Sequence, residues 1–180
     1  MLTREVIETA QQRAAQVLEA AGIVLTPAER AGIEVADFGL NELAQIGLEL
    51  VVYVNTARCC AKELVLFPGQ ICPEHRHPPI GDNPGKEETF RCRAGQVFLY
   101  VPGEPAVNPR GNVPANRREY FTAWHEIILN PGEQYTLPPN TLHWFQSGPA
   151  GAVVSEFSTR SIDEADVFTD PEIARITKVE

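Results

Sequence analysis

The period of the apolar positions changes near residue 48. Before it, Val6, Ile7, Ala10, Ala14, Val17, Leu18 and Ala21 recur at helical spacing, which predicts an amphipathic helix over residues 3–22. Thr26-Pro27-Ala28-Glu29 then reads as a capping box with proline at the first helical position, the start of a short second helix. Residues 37–47 are read as adding a further helical turn or two. From Leu48 onward, β-branched and aromatic runs are cut by Gly, Pro and Asn: LELVVYVNT, KELVLF, QICPEHRH, ETFRCR, QVFLYVP, EYFTAWHEIIL, QYTLP, HWFQS and AVVSEFS. Many short strands with closely spaced turns predict a mainly β fold, an antiparallel barrel or jelly roll. The expected organisation is a single domain: a helical arm over 1–47 packing on the barrel, a barrel over 48–160, and an acidic, weakly helical tail over 161–180 lying on the barrel exterior.

Composition narrows the partners more than the fold. At 180 residues with 43% hydrophobic and 22% charged positions, the chain suits one domain with a sizeable core. A net charge of −9 repels nucleic acid, and the only local basic cluster is Arg110 with Arg117 and Arg118. No apolar run is long enough to cross a bilayer, and the N-terminus lacks the layout of a signal peptide, so no membrane role and a cytoplasmic location are expected. Cys59, Cys60, Cys72 and Cys92 show no CxxC spacing and read as buried small hydrophobes in a reducing compartment. Two long Pro/Gly/Asn-rich interruptions, residues 78–87 and 102–118, are expected to line the barrel mouth.

Two stretches carry candidate chemistry. Gly69 to Gly95 contains His75, His77 and, after a ten-residue insertion, Glu88; Gly132 to Ser147 contains His143. Side chains alternate along a strand, so His75 and His77 point the same way while Arg76 points away. The same parity puts Lys86, Glu88, Phe90 and Cys92 on one face and Glu87 on the other, favouring Glu88 as a ligand. Pro138-Pro139-Asn140 is a tight-turn signal that sets His143 at the start of a returning strand. Three imidazoles and one carboxylate suit a first-row divalent ion that keeps open positions for an oxygen-bearing ligand.

The motif G-x5-HxH, an insertion, E-x6-G, then G-x5-P-x4-H resembles the two-part cupin signature. Gly69, His75, His77, Glu88, Gly95, Gly132, Pro138 and His143 fit it, with Asn140 where glycine is usual and Ser147 where asparagine is usual. This implies a cupin jelly-roll barrel. Within the cupins the chain resembles the D-lyxose ketol-isomerase family in its helical arm, the EHRHPP run, the lysine two residues before the glutamate, and LPPNTLHWF. That resemblance implies interconversion of D-lyxose with D-xylulose, and of D-mannose with D-fructose, through a cis-enediol. It implies Mn²⁺ as the usual metal, with Co²⁺, Ni²⁺ or Fe²⁺ as other first-row ions. Lys86 and Glu156 are then the acid–base pair, the lysine's pKa being lowered by the neighbouring cation. Trp124 and Glu126 share a strand face and are read as sugar contacts, while His125 is read as structural. The partner is a free pentose or hexose, and exposed strand edges with the helical arm point to a homodimer. The alternatives are a sugar-phosphate isomerase of the cupin type, which the loop arginines would serve, or an Fe-dependent cupin dioxygenase.

Overall fold

A computed structural model describes residues 1–180. The arm begins with helix α1 (Arg4–Ala20), whose N-cap Thr3 accepts a hydrogen bond from the Val6 amide. It buries Ala10, Ala14, Ala15 and Leu18, while Val6, expected on that face, stays exposed. The capping box of α2 (Pro27–Ala31) forms in both directions between Thr26 and Glu29. Residues 37–47 form turns rather than helix. Phe38, Gly39 and Asn41 have positive φ, which a right-handed helix excludes, and the Asp37 carboxylate accepts from the Gly39 and Asn41 amides instead.

The rest is an all-antiparallel curled sheet of β1 (Glu34–Ala36), β2 (Leu48–Asn55), β3 (Cys60–Leu66), β4 (Ile71–Arg76), β5 (Glu88–Val101), β6 (His125–Leu129), β7 (Gln134–Leu137), β8 (His143–Ser158) and β9 (Val167–Phe168). Strand β8 is the centre, pairing with β3, β4 and β5. Two of the expected strand pairs are continuous: ETFRCR joins QVFLYV in β5, and HWFQS joins AVVSEFS in β8. Their mutual approach demands glycine. Gly95 has φ +72°, and a Cβ there would lie 2.0 Å from the Gly151 carbonyl oxygen.

Strand parity divides the core into two. Leu64 and Leu66 of β3 face the barrel interior with Phe90, Leu99 and Phe145, whereas Val65 faces outward with Val51 and Val153 to meet Ala14 and Leu18 of α1. Leu64 to Phe67 reads as an unbroken apolar run because both faces of the strand are covered. The tail differs from expectation. It contains a 3-10 turn at Asp163–Ala165 and the short β9, which pairs with β4 through His75↔Phe168 and Arg76↔Val167. It therefore lies across the barrel's working end rather than on the exterior alone.

Candidate active site

His75, one residue before the end of β4, pairs directly with His143 at the start of β8, while His77 follows β4 and Glu88 opens β5. All four are buried. One ring nitrogen from each histidine lies within 4.8 Å of the others. Glu88 Oε1 is 3.1 Å from both His77 Nε2 and His143 Nε2, yet these three buried atoms make no hydrogen bond. Close approach without hydrogen-bond geometry fits groups aimed at one common point. The far side of each ring is engaged. His75 Nδ1 meets the Pro73 carbonyl at 2.8 Å and His143 Nδ1 meets the Thr141 carbonyl at 3.0 Å. Carbonyls only accept, so these Nδ1 atoms carry the hydrogen and the Nε2 lone pairs face inward. This set could hold a first-row divalent ion.

Electrostatics in the cluster pull in opposite directions. Burial, then His143 and His77, drive His75 well below its ordinary value. Burial also acts to lower His77, but the Glu88 carboxylate and Asp166 outweigh it and raise that ring to about 9. Glu88 is held well below the usual carboxylate range, since Lys86, His77 and His143 overcome the cost of burial.

Lys86 lies between two carboxylates, 2.7 Å from Glu88 Oε2 and 2.6 Å from Glu156 Oε1. Burial opposes its charge, but Glu156 and Glu88 together raise its pKa; the lowering expected from sequence was assigned to a neighbouring cation, not to these side chains. Two features of the fold make this trio. Glu156 pairs across β8 with Lys62 of β3 and Phe90 of β5, and Glu88 is the next residue on that face of β5. Gly85, at φ +106°, turns the insertion inward just before Lys86; a Cβ there would meet the His77 carbonyl oxygen at 2.4 Å. Glu87 points to solvent.

A cavity lined by His75, His77, Lys86, Glu88 and Glu156 opens at this end of the barrel. Residues outside the sequence prediction complete its wall. Lys62 Nζ donates to Ser161 Oγ at 3.0 Å and to Asp163 at 3.1 Å. Arg175 bridges Asp163 at 3.1 Å and Glu34 at 2.5 Å. Asp166 meets His77 Nδ1 at 2.5 Å, and the Phe168 ring lies 5.4 Å from His75. Lys62 had one signal, a lysine on the same strand face as Leu64 and Leu66. The tail residues had none, because nothing local says which way an irregular segment folds.

Trp124 and Glu126 do not line this cavity. The Trp124 indole donates to the Phe121 carbonyl and packs edge-on against Tyr100 and Trp144. Glu126 accepts from the Tyr100 hydroxyl at 2.5 Å and from the Arg110 amide at 2.6 Å. The pair thus pins the 102–118 loop to the barrel side, and that loop does not line the cavity. Arg117 is taken up by Glu42, Asp170 and Glu172, and Arg118 lies over the Trp124 ring. His125 is exposed beside the Glu104 carbonyl. The 78–87 insertion does flank the site, with Pro78, Ile80, Asn83 and Gly85 lining a smaller recess that shares His77, Lys86 and Asp166. Cys60, Cys72 and Cys92 are buried, and Cys59 is exposed.

The D-lyxose isomerase family model matches residues 8–180. The chain is 62% identical to the D-lyxose ketol-isomerase of Thermofilum sp. (strain ex4484_79) over 179 residues, covering 99% of each. It is 59% identical to the D-lyxose/D-mannose isomerase of Thermosediminibacter oceani, covering 100% of this chain and 99% of that one. Among solved structures, the L-ribose isomerase of Acinetobacter sp. DL28 in complex with L-ribose superposes with a TM-score of 0.82 at 16% identity, over 99% of this chain and 98% of that one. That of Cellulomonas parahominis with L-ribose gives 0.81 at 17%, with the same coverage. This likeness shows a shared cupin-type barrel. The curated relatives, similar along their whole length, place the chain in the D-lyxose isomerase family, as an enzyme that interconverts an aldose and a ketose.

Proposed function

We propose that this enzyme is a metal-dependent D-lyxose ketol-isomerase that also interconverts D-mannose and D-fructose. The observation that carries it is the Lys86–Glu156 pair, 2.6 Å apart and buried beside three inward-facing imidazoles on the wall of one cavity. His75, His77, His143 and Glu88 would hold the ion, Mn²⁺ in this reading, which supplies Lewis-acid polarisation of the sugar's carbonyl and neighbouring hydroxyl oxygens. The protein's own residues handle the protons. Aldose and ketose differ by a hydrogen moved between C1 and C2 and a compensating O–H proton. Glu156 Oε1 and Lys86 Nζ form a connected acid–base pair that can remove one and supply the other. Phe38, Phe90, Phe145 and Phe168 wall the cavity and limit water around the enediol.

Free sugars fit better than sugar phosphates. Lys62, Lys86 and Arg175 are the cavity's cations, and each already faces a carboxylate from Glu88, Glu156, Asp163 or Glu34. A phosphate dianion would find no uncommitted cation.

The test is to incubate Mn²⁺-loaded enzyme without oxygen with a panel of aldoses and aldose phosphates, following ketose by NMR. D-Xylulose from D-lyxose, and D-fructose from D-mannose, are expected. Turnover confined to phosphates, or dependent on oxygen, would overturn the reading.

A further inference from the structure

We infer that Asp166 is a positioning residue: its carboxylate fixes the ring of His77 for metal binding, and so makes the C-terminal segment part of the metal centre. The inference rests on the metal-site reading above. His75 and His143 are oriented by carbonyls within two residues of themselves, Pro73 and Thr141, which the hairpin geometry of their own strands supplies. His77 has no such local acceptor. It lies beyond the end of β4, at the start of the 78–87 insertion, and its Nδ1 is met at 2.5 Å by a carboxylate 89 residues further along the chain. The Asp166 side chain is only 7% exposed, so the contact is sheltered from water. With Nδ1 held as a donor, Nε2 is left as the free, unpartnered atom 3.1 Å from Glu88. A carboxylate–histidine contact of this kind both selects the tautomer and sharpens the ring's basicity toward a metal.

The position of Asp166 is itself strongly determined. On its N-terminal side Asp163 is gripped by Lys62 and Arg175. On its C-terminal side the Thr169 hydroxyl donates to Glu74 at 2.7 Å, and the Thr169 amide donates to the Glu74 carbonyl. Glu74 in turn accepts from the Thr122 amide and hydroxyl and from the Ala123 amide. Asp166 is thus held from two sides, on a segment with little secondary structure of its own.

The test compares wild type with D166A and D166N, each freed of metal. Titration with Mn²⁺ alone, reading free Mn²⁺ by electron paramagnetic resonance, is expected to show about 10- to 100-fold weaker binding in D166A, with D166N between D166A and wild type. Histidine ¹⁵N NMR of the metal-free proteins, at a pH above the value of about 9 to which the His77 ring is raised so that the ring is neutral, is expected to show His77 as the Nδ1–H tautomer in wild type and a mixture in D166A. A residue that merely supports the fold would lower the melting temperature and leave both readouts unchanged in the folded fraction; that result overturns the proposal. If D166A does not fold, D166N decides by the same two readouts. If wild type binds no Mn²⁺, the metal reading fails, and the His77 tautomer still decides whether Asp166 sets the ring.

Discussion

Lys86 Nζ and Glu156 Oε1 lie 2.6 Å apart inside the barrel, both side chains 6% exposed, with Glu88 on the lysine's other side. A buried cation shared by two carboxylates is a unit whose parts cannot be removed independently. Glu156→Gln is expected to keep bound metal and most sugar affinity while losing about 100-fold or more in turnover. Lys86→Ala should lose as much and also lower stability, because it strands two buried carboxylates. The double variant should be little slower than either single one. Steady-state kinetics with metal analysis on all three checks this. Isomerisation in D₂O should place deuterium at C1 or C2; retention without exchange would favour a hydride shift and leave the pair only a positioning role.

The second prediction separates two adjacent glutamates. Glu87 is exposed and Glu88 is buried with one oxygen aimed at two imidazoles. Glu87→Gln should leave Mn²⁺ binding nearly intact, while Glu88→Gln should lower metal content and turnover together. Elemental analysis after dialysis reads the first, and the kinetic assay the second. An exchange of the two phenotypes would mean a register one residue away from the one described.

Chelation provides the third. Dialysis against a chelator is expected to abolish activity, Mn²⁺ to restore it best, Co²⁺ or Ni²⁺ in part, and Zn²⁺ less. Full activity in protein shown to be free of metal would remove the ion from the mechanism, leaving Lys86 and Glu156 as its chemistry.

A fourth prediction concerns the aromatic and acidic pair that sequence parity offered as sugar contacts. Glu126 holds the Arg110 end of the 102–118 loop and Trp124 packs on Tyr100 and Trp144, both away from the cavity. Glu126→Gln should therefore leave kcat/KM for D-lyxose within about twofold while lowering thermal stability. A large rise in KM with unchanged stability would restore these residues to the substrate site.

The fifth is a pH effect remote from catalysis. Glu49 on β2 is fully buried, with Oε2 unpartnered and only Gln70 reaching Oε1 at 3.3 Å. Burial, against weaker help from Gln70 and Arg13, pushes its carboxyl up from 4.5 to about 8. The folded state then holds a proton that the unfolded chain releases. Glu49's contribution is complete below about pH 4.5 and is lost as pH rises through about 8. Glu49→Gln should thus resemble wild type in stability at pH 5 and exceed it at pH 9 by on the order of a few kcal/mol. Urea denaturation of metal-free protein at the two pH values checks it.

What could be read from sequence followed the physics of repetition. Strand alternation has period two, so His75 with His77, and Glu88 apart from Glu87, were legible wherever a strand runs, as was the helix built on Ala10, Ala14 and Leu18. Lys86 was legible by the same parity although it lies just outside β5. Contacts between distant segments were not. Asp166, Phe168 and Arg175 belong to a stretch without periodicity, and their placement depends on ion pairs with Lys62 and Glu34 more than a hundred residues away. The turn at residues 37–41 failed for a related reason: its composition permits helix, and the Asp37 side chain wins the competition for the local amides. Asn140, the residue that departs from the usual glycine, has φ +60°, a conformation that asparagine tolerates better than most side chains.

One strand, β8, begins at His143 and carries Glu156 near its end, and between them residues 148–151 bulge out of the register with β5, where Gly95 pairs with Ala152 and Val97 with Ser147. In the proposed mechanism, metal binding and proton transfer are therefore threaded on a single piece of backbone whose two halves keep their relative facing only while the bulge keeps its length. A residue added or deleted there would turn one half of the strand over relative to the other, separating the ion from the acid–base pair without altering any residue of either. The same arrangement gives directed evolution a narrow corridor: the bulge is expected to accept changes of side chain at Pro149 and Ala150, both exposed, but not changes of count.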